Sequence, residues 1–224
     1  MYNKDDHYNQ NNYNEILYSG IIGKIFKHQH KLLTPNKLLK EKKILEIGPG
    51  FEPHIKFRKI NFEEYHCLET NFTKEIQEYY RDNFKEVTFR NYDGKNVDYS
   101  DETFNRVIIS HTLEHIYHPE AFINELLRVL KPNGVISIAL PCDNGLLWRL
   151  GRFYNKFFNN KKKGIPDIDY DYLVANEHIN SIFQLQAIIR KKFKVRNEKY
   201  LPFRIKIIDF NLIYICEIYK ESIK

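Results

Sequence analysis

The sequence predicts an α/β fold: a seven-stranded, mostly parallel sheet with helices on both faces and the last strand antiparallel. Three observations predict it. Short apolar runs such as Lys43–Ile47 (KILEI), Phe104–Ser110 (FNRVIIS) and Val135–Leu140 (VISIAL) are near-continuous, as in strands covered on both faces. They alternate with segments of helical period, the signature of repeated βαβ units. The last two strand-like runs, 193–200 and 211–219, are joined by a connection too short for a crossover helix, so they pair antiparallel.

Each element follows from its residues. Residues 1–13 are polar and rich in Asn and Tyr. From Glu15 to Lys40, Ile16, Leu17, Ile21, Ile22, Ile25 and Phe26, then Leu32, Leu33, Leu38 and Leu39, recur at helical spacing. Pro35 divides them into two helices. Residues 1–42 therefore read as an N-terminal helical cap, which packs, closes over a ligand or serves a homodimer. The main domain is 43–224. Its strands are Lys43–Ile47, Glu64–Glu69 (EYHCLE), Val87–Asn91 (VTFRN), Phe104–Ser110 and Val135–Leu140. A helix over Asn71–Asp82 follows the second strand. Another, over Pro119–Leu130, turns Phe122, Leu126 and Val129 inward, and Lys131-Pro132-Asn133-Gly134 stops it. Residues 142–180, rich in aromatics and lysine, read as an inserted lid, and a last helix spans about Ser181–Lys191.

Composition narrows the function. A net charge of +6 permits an anionic partner, but lysine-rich chains are basic without one, and no clustered basic face is evident. Nucleic acid is therefore not the expected partner. Cys67, Cys142 and Cys216 have no C-x-x-C spacing and read as reduced and buried. The histidines lack ligand spacing with cysteines or carboxylates, so no metal site is expected. The polar start MYNKDDHYNQ has no signal-peptide core, and no run reaches about 18 apolar residues. A cytoplasmic location without a membrane span is the expectation.

The first strand runs into Gly48-Pro49-Gly50 (ILEIGPGFEP). In an open α/β sheet the ligand sits beyond the carboxyl ends of the strands. Two glycines there let backbone approach it. The dinucleotide pattern G-x-G-x-x-G fails at Pro53, and no P-loop G-K-[ST] or G-x-S-x-G elbow exists. A turn of this kind admits an amino-acid tail and a ribose.

The order ILEIGPG, CLE, NYDG and FNRVIISHTLEHIYHPEAFINELLRVLKPNGVISIALP resembles the class I S-adenosylmethionine-dependent methyltransferases, over roughly Lys43–Cys142. The resemblance implies a Rossmann-like fold and S-adenosyl-L-methionine as cofactor, with S-adenosyl-L-homocysteine as product. It places Glu46, Gly48 and Gly50 against the methionine part and ribose. It gives Glu69 the two ribose hydroxyls, for which a carboxylate offers two oxygens. Asp93 accepts from the adenine amino group beside the Gly94 N–H, although Asp93-Gly94 is equally a turn dipeptide. Ser110 and His111 fall where methyl group and acceptor meet. Glu52 stands where many members carry a third glycine. The GPGxxP form resembles a subset associated with bacterial surface-polysaccharide gene clusters.

The resemblance also frames the acceptor side. A sugar hydroxyl benefits from a positioned base, most often histidine; an anionic oxygen needs instead to be held. Candidate catalytic residues are His111, His178 and His115, with Glu177 behind them. His115 and Glu114 also suit a plain helical turn. In the lid, Arg149, Arg152, Tyr170 and Tyr172 are candidate substrate contacts. Trp148, Tyr154 and Lys161-Lys162-Lys163 lie beside them. The expectation is O-methylation of a small anionic or saccharide acceptor (nucleotide-linked, phosphorylated or phosphoramidate) in capsular polysaccharide synthesis. An RNA methyltransferase, or a catalytically inactive cofactor-binding subunit, is the alternative.

Overall fold

The computed structural model describes residues 18–34, 43–154, 172, 175, 176 and 178–221. Helix α1 (Gly20–Leu33) precedes strand β1 (Lys43–Ile47), a single-turn helix α2 (His54–Phe57) and β2 (Glu64–Glu69). Then come α3 (Lys74–Asn83), β3 (Val87–Asn91), β4 (Phe104–Ser110), α4 (Pro119–Val129) and β5 (Leu130–Pro141). The chain finishes with α5 (Leu146–Tyr154), α6 (Ile182–Lys192), β6 (Val195–Pro202) and β7 (Asn211–Tyr219).

The seven strands form one sheet in the order β3-β2-β1-β4-β5-β7-β6. All pairings from β3 to β5 are parallel, and β7 runs antiparallel to both β5 and β6. This is the fold class the sequence predicts. Pairing of β1 with β4 reverses the strand order beside the glycine turn, which places the switch point at Gly48.

Alternation along β1 explains why KILEI is apolar on both faces. Leu45 and Ile47 join the core under α4 and α6, whereas Ile44 joins the core under α1 and α3. In α4, Phe122, Ile123, Leu126 and Val129 repeat at helical spacing and are buried. Each such side chain contributes about 1.5–3 kcal/mol relative to exposure. Thr73 caps α3 and Ser181 caps α6, each accepting from the backbone N–H three residues on. Phe26 and Leu33 bury α1 into the sheet's second face together with Ile108, Ala139 and Ile213. The second helix expected after Pro35 lies outside the described residues.

A buried polar group ties α1 to the centre of the sheet. Arg106, 1% exposed, pairs with Glu217 at 3.2 Å and donates to Ser137 Oγ. Ser137 Oγ in turn donates to the Leu33 carbonyl at 2.9 Å. The three side chains stand on β4, β5 and β7, so one network spans the parallel-to-antiparallel junction.

One boundary differs from the sequence reading. Lys131–Gly134 is not a linker before the fifth strand; β5 already begins at Leu130, which pairs with Phe104. The register shifts between Phe104 and Arg106, and Asn133 takes a left-handed φ of 63°. An irregularity of this kind accommodates a proline inside a strand. The one-turn α2 carried no periodic signal and was not expected.

Candidate functional site

A cleft of about 1430 Å³ opens at the carboxyl ends of β1, β2 and β4. Its lining includes Gly48, Gly50, Glu69, Asp93 and Ser110, and also His111, Glu114, His115, Trp148 and His178. The fold thus brings the cofactor-side candidates and the three candidate histidines to one place, but not the lid candidates among the described residues.

The glycine turn is held from both sides. Gly48 and Gly50 adopt left-handed φ values of 63° and 52°. A Cβ on Gly48 would lie 2.6 Å from the Thr112 side chain, so that glycine is required by packing. A Cβ on Gly50 would meet nothing within 4 Å, so that glycine leaves room in the cleft. Gly50 N donates to Glu69 Oε2 at 3.0 Å, and Tyr80 Oη donates to the Gly50 carbonyl at 3.0 Å.

Glu69 ends β2 and is 7% exposed. Its Oε1 accepts from the N–H groups of Thr70 and Asn71, at 2.9 and 3.1 Å. Oε2 takes only the Gly50 N–H and keeps acceptor capacity toward the cleft. Glu46 is differently placed. Its buried carboxylate accepts from His54 N at 2.9 and 3.1 Å and from Tyr65 Oη at 2.7 Å, tying β1 to α2 and β2. Burial raises its pKa to about 7 against those hydrogen bonds. Its bonds are spent on shaping the turn.

Asp93 is exposed and closes its own turn. Oδ1 accepts from Lys95 N and Asn96 N at 2.8 and 2.7 Å, and Oδ2 from Asn96 Nδ2 at 2.6 Å. These bonds, led by Asn96 N–H, lower its pKa. Gly94 takes a φ of 78°.

At the end of β4, Ser110 and His111 meet α1. Gln29, fully buried, donates from Nε2 to Ser110 Oγ at 3.4 Å, and its Oε1 accepts from His111 Nε2 at 2.8 Å. His111 has a left-handed φ of 54°, unusual for a non-glycine residue. Burial, with the neighbouring histidines, lowers its pKa to about 3, so the ring stays neutral.

The turn Leu113–His115 follows at once. Thr112 Oγ1 donates to the Ile47 carbonyl at 3.1 Å and fixes this turn against β1. Glu114 is 2% exposed, and its Oε2 has no hydrogen-bond partner among the described residues. Burial raises its pKa to about 7. The His115 and His178 rings stand edge to face with centroids 5.1 Å apart. His178 Nδ1 bonds to Asp143 Oδ2, and Arg152 reaches the same carboxylate at 2.6 Å. Burial alone would raise the Asp143 pKa; the bonds to His178 and the charge of Arg152 outweigh it, and the pKa is lowered.

No metal-ligand spacing is visible in the sequence, yet folding gathers Glu114, His115 and His178 so that one donor atom of each lies within 4.8 Å of the others. Asp143, Gln29, Thr112 and Asn180 were not singled out from the sequence. A carboxylate directly beyond the fifth strand, in PCDN, was the signal available for Asp143. Gln29 acts through side-chain bonds to Ser110 and His111, and Thr112 and Asn180 through bonds to backbone carbonyls, contacts that no spacing reveals. Among the lid candidates, Arg149 is exposed, Arg152 is committed to Asp143, and Tyr172 is 68% exposed; none lines the cleft. Tyr170, Glu177 and Lys161-Lys162-Lys163 lie outside the described residues.

A family model described as a methyltransferase domain matches residues 45–138. No curated protein matches the sequence. Similar solved structures include a chain of the Haloferax volcanii complex between the Trm112 methyltransferase activator and a methyltransferase. It is 10% identical, over 99% of this chain and 100% of that one, with a TM-score of 0.65. An S-adenosylmethionine-dependent methyltransferase of Thermotoga maritima is 19% identical, over 97% and 98% of the two chains, with a TM-score of 0.62. The [4+2]-cyclase SpnF is 14% identical, over 88% and 81%, with a TM-score of 0.61. At these identities the likeness establishes the fold.

Proposed function

We propose that this chain, whose residues 45–138 form a methyltransferase domain with S-adenosylmethionine as cofactor, transfers the methyl group to an oxygen of a small saccharide or phosphorylated acceptor. The observation that carries this reading is that one cleft is lined by residues suited to both ends of such a reaction. The nucleoside end is Gly50 and Glu69; the acceptor end is Glu114, His115 and His178. A volume of about 1430 Å³ exceeds the roughly 300–1,000 Å³ of a site for one small molecule, which leaves room for two.

The residues fit the cofactor. The open side of Gly50 lets a ribose approach backbone, and the Glu69 Oε2 lone pair suits a hydroxyl donor. Asp93 and Gly94 border the place for the base, and Ser110 the place for the methionine part. The cofactor supplies an already activated sulfonium methyl, so catalysis is largely positioning. His111, neutral and hydrogen-bonded to Gln29, orients rather than accepts a proton at neutral pH. The acceptor-facing roles fall to His115 and His178, the latter oriented by Asp143.

Nucleotide-linked or phosphorylated sugars of capsular polysaccharide synthesis are the acceptor class we favour. That choice rests on the GPGxxP resemblance. All three cysteines are free and buried, consistent with a reducing, cytoplasmic setting. Among the described residues no helix is long and apolar enough to cross a membrane. A fold neighbour is named as a [4+2]-cyclase, so the fold alone does not fix methyl transfer. Calorimetric titration with S-adenosylmethionine and S-adenosylhomocysteine, with NADH as control, tests the cofactor. Transfer of labelled methyl to a panel of sugar phosphates and nucleotide sugars then tests the acceptor. Cofactor binding with no transfer to any oxygen acceptor would overturn the proposed chemistry.

A further inference from the structure

We propose that Glu114, His115 and His178 bind a divalent first-row transition-metal ion at the acceptor end of the cleft. Two imidazoles and one carboxylate form a donor set suited to Mn(II), Fe(II), Co(II) or Zn(II), and poorly suited to Mg(II). The donor atoms lie within 4.8 Å of one another. A triangle with no longer edge has a point within roughly 2.8 Å of every corner. Shifts of under about 1 Å therefore give bonds of ~2.1 Å to a common centre.

Three further features distinguish this group from a chance cluster. Glu114 Oε2 is buried without a partner among the described residues, and such an oxygen is costly unless something completes it. His178 is held through Nδ1 by the buried Asp143, which fixes the ring and leaves Nε2 as the proposed metal-binding nitrogen. That is the carboxylate–histidine arrangement that supports a metal-bound imidazole. The two ligand-bearing segments are also clamped together. Asn180, 5% exposed, donates from its backbone N–H to the Glu114 carbonyl at 3.1 Å and from Nδ2 to the Ile116 carbonyl at 2.6 Å. His178 is thereby kept in register with the turn that carries Glu114 and His115.

All three ligands line the cleft, so remaining coordination positions face the acceptor. The role that follows rests on the methyl-transfer reading above; metal binding itself does not. An acceptor hydroxyl on the ion is acidified. Its oxygen forms the new bond to the methyl carbon as the carbon–sulfur bond breaks, and its proton leaves to solvent. The ion takes over the work a histidine base would do, and His178 acts as ligand.

The full chain, stripped with a chelator, is titrated with Co(II) alone, reading visible absorption, and with Mn(II) by calorimetry. The expected result is one equivalent per chain with micromolar or tighter affinity. Glu114→Gln and His178→Gln each lose at least tenfold. Asp143→Asn, which removes no ligand, loses about 10–100-fold and keeps the test open if a ligand variant fails to fold. No binding by the stripped chain, or equal binding by these variants, overturns the site and leaves a metal-free carboxyl–imidazole relay. S-adenosylhomocysteine is titrated into the same samples. Cofactor binding without cobalt binding sinks the metal site alone; cobalt binding without cofactor binding sinks the methyltransferase reading alone.

Discussion

His30 Nδ1 lies 3.0 Å from His54 Nδ1, and both rings are fully buried, so α1 and α2 are joined by a hydrogen bond between two imidazoles. Tyr18 Oη closes the chain at His30 Nε2, 3.1 Å away, and Thr34 Oγ1 at His54 Nε2, 2.9 Å away. The central bond carries one proton, and the hydrogen-bond chain is complete with both rings neutral. Burial lowers the His30 pKa to about 3 and the His54 pKa well below its usual value. Below pH ~6.5 the unfolded chain takes up protons that the folded chain refuses, so stability falls as pH falls. Glu46, raised to about 7, acts oppositely: its folded form is protonated first, and stability rises as pH falls from about 7 to 4.5. Three lowered histidines, counting His111, outweigh two raised carboxyls, Glu46 and Glu114, by roughly 1 kcal/mol per pH unit. Thermal unfolding midpoints should drop between pH 6.5 and 5.5, and His30→Asn should flatten that dependence. A midpoint that rises on acidification would show the pair to be exposed in solution.

The two glycines of the turn should respond differently to the same change. Gly48→Ala combines a left-handed backbone with a 2.6 Å approach to Thr112, and costs roughly 2–4 kcal/mol. Gly50→Ala meets no neighbour and costs about 1 kcal/mol, from the backbone alone. Its methyl group projects into the cleft, so it weakens S-adenosylhomocysteine binding while the fold persists. Adding Thr112→Ala to Gly48→Ala should cost less than the sum of the two changes, measured by denaturant unfolding.

Glu69 carries both a structural and a ligand-facing oxygen. Glu69→Ala should raise the S-adenosylhomocysteine Kd at least tenfold, about 1.4 kcal/mol. Glu69→Gln should not restore it, because one amide oxygen cannot serve the N–H groups of Gly50, Thr70 and Asn71. Calorimetry decides; wild-type affinity in either variant would remove Glu69 from the site.

Breaking the buried Arg106–Glu217 pair should be more damaging than deleting it whole. Arg106→Ala leaves Glu217, 3% exposed, facing Ser137 without its guanidinium, and costs roughly 3–5 kcal/mol. The double change Arg106→Met with Glu217→Met should recover most of that loss, read in chemical denaturation. Equal destabilisation by the single and double variants would show that the network, not the charge pair, holds the junction.

The sheet was legible because its strands are short apolar runs with stop signals, and burial on both faces writes itself into Ile44–Ile47 and Val107–Ile109. Gly48, Gly50 and Glu69 were legible because they sit at strand ends, where their spacing is set by the sheet; the roles proposed for them come from the family resemblance. The partners of His115 and His178 were not legible, because that end of the cleft is assembled across distance. His178 approaches Glu114 where Asn180 clamps their two segments together, and Asp143 meets His178 from a different part of the chain. Periodicity describes one element at a time and is silent on such meetings. The bulged start of β5 was missed because Pro132 and Gly134 favour a turn locally, while pairing with β4 overrides them.

Trp148 is the single tryptophan of the chain. Its indole N–H donates to the Leu212 carbonyl at 2.7 Å, and its ring forms part of the cleft wall. The protein therefore carries its own optical reporter. Excitation near the red edge of aromatic absorption selects that one ring against sixteen tyrosines, and its emission registers whatever enters the cleft, with no label attached.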